Sequence, residues 1–409
     1  MQSTSTSSTA LPSIDTSSGV VLTSPGVVYP VSPSSSLTPA TSSPFPIYRL
    51  LSQLEPWNST QSVQSHRFTY PSIAIVCLTS LSWDLHSKKI GGSEEAVVEY
   101  ANELAQRGFQ VVVFNATMRE FPELMNPLYQ RLSRIPKFEN IHFDFAISWR
   151  VPNKISNINA SKWVFWAHDC YDTPLHQLSS YDLGIFVSGT QLKQFIEVNG
   201  GEKALPKINQ VVYNGSLYRD FNPPLERKKR RCIYCSDVKR GLKFLLSIWP
   251  SVVKKYPDAE LHIFGGINPI DPKQYEIQNV INSTPNCFFH GRVSNEELCC
   301  EFLKSSLFTY PCQYYESFCI SAVKAQQHGC LPVCVLTAAL KETVFFKSFS
   351  CDQLEDYETT LSKALEAEEK EAVELEARRR EIAALTRSTW TWKNSVDRFF
   401  RLLVKGQSV

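Results

Sequence analysis

A chain of 409 residues exceeds what one hydrophobic core usually serves, so two folded domains plus a tail are expected. Its 43% hydrophobic content is ordinary for a globular protein, and a formal net charge of +2 gives no general pull toward nucleic acid or an anionic membrane. Twelve cysteines over this length do not make a disulfide scaffold; the Cys232/Cys235 pair has no second pair at zinc-site spacing and reads as core thiols in a reducing compartment.

Residues 1–68 are rich in Ser, Thr and Pro, and such a segment buries too little surface to offset its ordering entropy. It reads as a disordered tail. Its start has no basic region followed by an apolar core, and no apolar run in the chain is long enough to span a bilayer, so a cytoplasmic protein is expected. Structure begins with the apolar run 73–78, followed by a loop ending in Gly91-Gly92-Ser93. An amphipathic helix with Ala96, Val97, Tyr100, Leu104 and Ala105 on one face comes next, then a strand at 111–114. That succession is a βαβ unit. Further strands are expected at 143–148, 162–166, 183–188 and 210–213. The basic run 227–231 reads as a solvated linker rather than a nucleic-acid patch, since Glu226 and Pro223-Pro224 precede it.

A second series follows: strand 231–235, helix 241–255, strand 260–264, helix 275–281, strand 287–289, helix 295–303, strand 307–310, another helix, and strand 331–335. The charged segment 359–387 reads as a solvated surface helix, because its apolar positions hold no heptad. The fold class is therefore α/β: two Rossmann-like doubly wound domains facing across a cleft. The boundaries are a tail at 1–68, an N-terminal domain at 69–213, a C-terminal domain at 214–388, and a closing helix at 389–409.

Glu316 stands in a loop, and the residues after it open an apolar helix that Gly329 ends. A helix start has free N–H groups and a positive dipole end, which hold anions and phosphate above all. On its own Glu316 also reads as a dipole-compensating residue. Gly91-Gly92 permits close backbone approach to a ligand or makes an ordinary turn, and it is not the Gly-x-Gly-x-x-Gly of a dehydrogenase. His168 ends an apolar strand, as a structural or a catalytic His would, with Asp169 as the partner to orient it. At Arg240-Gly241 a cation opens a helix, a mismatch that a bound anion repairs.

The segment Glu316-Ser317-Phe318-Cys319 through His328-Gly329 resembles the donor-binding signature of retaining glycosyltransferases of the family 4 type, which have the GT-B fold. The resemblance runs from about residue 73 to 392. It implies transfer of a sugar from a nucleotide-sugar donor to an acceptor hydroxyl with retention, with no metal ion and no further cofactor. Glu316 and His168 would be the catalytic residues. Gly91, Gly92, Arg240, Gly265, Gly266, Arg292 and the backbone of Ser317, Phe318 and Cys319 would hold the donor, with Lys239 standing in for a family cation at the place of Ser236. The family's second Glu, which takes the ribose hydroxyls, is here Lys324, which cannot accept a hydrogen bond. The ribose is then held differently, donor binding is weak, or catalysis is lost. The implied partners are a sugar nucleotide and a glycan, lipid or protein-linked glycan acceptor, with no nucleic acid, and peripheral membrane contact stays open. A catalytically impaired binding subunit, or an epimerase or phosphorylase on the same architecture, are the alternative readings.

Overall fold

The computed structural model describes residues 66–68, 70–222, 224–267 and 271–405. Nearly all of the expected tail lies outside the described residues. Its last residues do not: β1 (His66–Arg67) pairs with β5, so regular structure starts a few residues earlier than the sequence indicated.

In chain order the first sheet is built from β1, β2 (Ser72–Cys77), β3 (Gln110–Asn115), β4 (Leu128–Arg131), β5 (Ile141–Trp149), β6 (Asn159–Ala167), β7 (Leu183–Phe186) and β8 (Ile208–Val211). Between them lie α1 (Gly92–Gln106) and α2 (Gly189–Val198). All pairings are parallel, in the order β4-β3-β2-β5-β6-β7-β8. The strands β2 and β3 are buried at every position, as continuous apolar runs covered on both faces must be.

The second sheet has β9 (Lys228–Cys235), β10 (Glu260–Phe264), β11 (Cys287–Gly291), β12 (Ser305–Tyr310), β13 (Leu331–Val335) and β14 (Ser350–Cys351), ordered β11-β10-β9-β12-β13-β14. Its helices are α3 (Leu242–Lys255), α4 (Pro272–Ser283), α5 (Asn295–Lys304), α6 (Ile320–Gln327), α7 (Leu340–Thr343), α8 (Tyr357–Lys370) and α9 (Ala372–Thr389). The expected long helix at 359–387 is in fact two, α8 and α9, broken at Glu371. In each sheet the strand order reverses at one place, between β2 and β5 and between β9 and β12. A crevice opens there outside the carboxyl ends of the strands.

The basic run is not a solvated linker. Lys228 to Arg231 already belong to β9. Arg227 donates to the carbonyls of Ser305 and His328, and buried Arg231 pairs with Glu301. Guanidinium groups satisfy carbonyls at the ends of buried elements, which a composition argument cannot detect.

Two features fix how the halves meet. A Cβ on Gly215 would fall 2.2 Å from the Trp392 backbone nitrogen, so only glycine fits where the chain crosses. The helix α10 (Trp392–Lys405) then buries Trp392, Val396, Phe399, Leu402 and Leu403 in the first sheet's core, with Ser395 bonded to the Tyr100 hydroxyl at 2.6 Å.

Candidate active site

The carboxyl ends of both sheets line one cavity of about 350 Å³. From the first sheet come Gly91, Gly92, Glu94 and Glu95 after β2, Arg150 after β5, and His168, Asp169 and Cys170 after β6. From the second come Ser236 and Arg240 after β9, Gly265 and Gly266 after β10, Arg292 after β11, and the segment from Tyr314 to Ser321 after β12, with Lys324 and Asn295 behind it. Of the residues expected to be catalytic or to hold the donor, every one lines this cavity except Lys239. The Lys239 side chain is exposed, and its backbone N–H is held by the Asp237 carboxylate at 2.9 Å. It therefore does not replace a cation at Ser236, whose hydroxyl meets that of Tyr310 at 3.1 Å.

Glu316 is 4% exposed and sits four residues before α6, not at its start. The helix begins at Ile320, and its N-cap Cys319 has φ 66°, the left-handed region. The Ser317 hydroxyl donates to the His168 carbonyl at 2.8 Å, so the loop is tied to the opposite domain. The Glu316 carboxylate accepts from the Arg240 guanidinium and the Tyr310 hydroxyl. Burial works against the Arg240 charge, but the Glu316 carboxylate outweighs it and raises the Arg240 pKa. Arg240 also lies 4.4 Å from the Tyr314 ring centroid, a cation–π contact. It ends the short turn before Gly241, whose φ of 89° and close approach to the Pro311 carbonyl leave no room for a Cβ.

His168 is 4% exposed, and its Nε2 has no hydrogen-bond partner among the described residues. Burial, reinforced by Arg150, lowers its pKa to about 3, so the ring is neutral at neutral pH. Asp169 is not its partner: the Asp169 carboxylate takes Arg150 at 2.5 Å. Arg150 was not legible as a site residue. It follows β5, has φ 66°, and lies 3.6 Å from Glu94 as well. A cation at the carboxyl end of a strand beside the switch point was the available signal.

Lys324 finds its acid in the other domain. Its Nζ donates to Glu95 Oε2 at 2.6 Å and to Asn295 Oδ1 at 2.9 Å, and Asn295 Nδ2 donates to the same Glu95 oxygen at 3.0 Å. Glu95 belongs to α1 of the other domain. Burial opposes the Lys324 charge, while Glu95 raises its pKa.

Two Rossmann-like sheets with their switch points facing across a cavity of this make-up define the GT-B glycosyltransferase fold, and solved structures agree. Sucrose-phosphate synthase from Thermosynechococcus elongatus superposes with a TM-score of 0.62 at 14% identity, covering 82% of this chain and 100% of that one. The Anabaena protein HepE, solved in complex with UDP and glucose, gives 0.61 at 13% identity over 82% of this chain and 100% of its own. Residues 229–348, which include the segment from Glu316 to Gly329 and its flanking strands, match the family model of Glycosyl transferases group 1. The poly(glycerol-phosphate) alpha-glucosyltransferase of Bacillus subtilis (strain 168) is 25% identical over 160 residues, which are 39% of this chain and only 23% of that enzyme. Among the described residues no helix is long and apolar enough to cross a membrane.

Proposed function

We propose that the protein transfers a hexosyl unit from a nucleoside-diphosphate sugar to an acceptor hydroxyl with retention, without calling on a metal ion. The observation that carries this reading is the Arg240–Glu316 pair beside the start of α6, inside a cavity made by the carboxyl ends of both sheets. The backbone N–H groups of Ile320 and Ser321 at the helix start, with Arg240 and exposed Arg292, provide the positive field that a departing diphosphate needs. When donor binds, Arg240 turns part of its fork from Glu316 to the diphosphate, and Glu316 accepts from the sugar hydroxyls. The bond between the anomeric carbon and the diphosphate oxygen breaks, the acceptor oxygen takes its place, and the acceptor proton leaves with the diphosphate. Neutral His168 meets the sugar as a hydrogen-bonding group rather than as a charge. HepE was solved with UDP and glucose, which supports a nucleotide-sugar donor for this fold.

Incubation with a panel of UDP-, GDP- and ADP-sugars, with and without a chelator, tests the reading through released nucleoside diphosphate. Release by one of them that survives the chelator is expected. Binding without release points to the impaired binding subunit instead, and no binding removes the donor reading.

A further inference from the structure

Glu95 lies on the N-terminal domain, is 2% exposed, and lines the cavity floor. Its Oε2 is engaged by Lys324 and Asn295, both of the other domain, while its Oε1 is buried with no hydrogen-bond partner among the described residues. A buried carboxylate oxygen left unpaired carries a desolvation cost unless a ligand supplies the donor. Lys324 stands four residues past Ile320, about 6 Å along the helix from its start at 1.5 Å per residue. Lys324, Asn295 and Glu95 line the same cavity as that start, so a ribose that follows bound phosphates one turn along α6 would lie beside Lys324 and the carboxylate that it holds.

Resting on the nucleotide-sugar reading, we propose that Glu95 reads the donor's ribose across the domain boundary: Oε1 accepts a ribose hydroxyl, and Lys324 with Asn295 holds Oε2 in place. Lys324 is then a positioning residue, not a lost function. The acceptor that α6 lacks is supplied by α1, so the ribose is gripped only when the two domains are together. Glu99, one turn further along α1, has its pKa raised to about 7 by burial, then by Glu95, so it adds little negative charge beside the pair below that pH.

The test is calorimetric titration of the full chain with UDP, GDP and ADP and with their 2′-deoxy and 3′-deoxy forms. The parent is expected to bind at least one diphosphate and to lose about tenfold or more in affinity when one hydroxyl is removed, the scale of a hydrogen bond to a charged group. In Glu95→Gln the amide oxygen still accepts from Lys324, but the atom at the place of Oε1 becomes a donor. That variant is expected to lose most of the parent's discrimination, because an amide N–H given to a hydroxyl oxygen is a neutral bond, about half as strong as one made to a carboxylate. Because Glu95→Gln leaves the Lys324 charge without its counter-ion, the neutral pair Glu95→Gln/Lys324→Gln is titrated beside it and is expected to show the same loss of discrimination. Full discrimination retained in either folded variant overturns the inference, as does a parent that binds a diphosphate without sensing either hydroxyl. A parent that binds no nucleoside diphosphate overturns the donor reading, and this inference with it.

Discussion

Two of the ion pairs in the cavity are built for opposite purposes. Arg240–Glu316 lies within the C-terminal half, and the Arg240 side chain is 32% exposed. Lys324–Glu95 crosses between the halves, with side chains 3% and 2% exposed. A half-open cation retains much of its hydration and can trade a carboxylate for a phosphate at modest cost. A closed pair has given up its water already, so removing either member strands the other. The first pair thus suits exchange with a ligand, and the second suits holding a geometry.

The largest break in that contrast comes from Lys324→Met, which leaves the Glu95 carboxylate buried without its cation, held by Asn295 alone. A loss of about 3–5 kcal/mol is expected, read from the denaturant midpoint. Lys324→Glu sets two carboxylates together and is expected to be at least as damaging, while Glu95→Gln/Lys324→Gln returns most of the loss. A cost under about 1 kcal/mol for Lys324→Met would put this pair in the class of exposed ones.

Glu316→Gln addresses the other pair. The protein is expected to stay folded, because the amide oxygen still accepts from Arg240 and Tyr310, while turnover falls by about a hundredfold or more. Sugar transfer at the parent's rate would reduce Glu316 to a loop anchor.

Acid distinguishes the buried interior from the open rim. Burial lowers the pKa of His168 to about 3 and those of His262 and His328 to about 4, against 6.5 for a free ring. Below pH 6.5 the unfolded chain takes up protons that these folded rings refuse, so their contribution is intact above that pH and lost progressively toward pH 4. Thermal melts should show the decline, and His168→Gln should flatten part of it. An unchanged slope would mean that the ring is protonated in the folded protein. The smallest effect belongs to Lys239→Ala, on the exposed side of its turn: stability is expected to move by less than about 0.5 kcal/mol, with donor affinity unchanged in the same titration.

Most strands were legible because they are continuous apolar runs, and the strand 331–335 matches β13 residue for residue. Glu316, His168 and Arg240 were legible because each follows such a run and so must stand at a strand's carboxyl end. What the sequence hid is what depends on tertiary partners. Lys324 meets Glu95 over a separation of 229 residues, and no local spacing signals that pairing. Asp169 lay beside His168 in sequence, yet its carboxylate turns to Arg150, a stronger partner than a neutral ring. Arg227 and Arg231 looked solvated because a charge run usually is, and only the elements packed around them reveal the carbonyls that they serve. The start of α6 was placed three residues early, since nothing in Ser317-Phe318-Cys319 shows that Cys319 takes the left-handed conformation.

The central claim is that Arg240 exchanges Glu316 for the donor's diphosphate. Calorimetric titration of the parent and Arg240→Ala with the sugar nucleotide that gives turnover tests it most directly. Loss of a charge-assisted contact worth roughly 1.5–3 kcal/mol predicts affinity about tenfold or more weaker in the variant. Equal affinity in the two proteins would contradict the exchange and remove phosphate binding from the role of this residue.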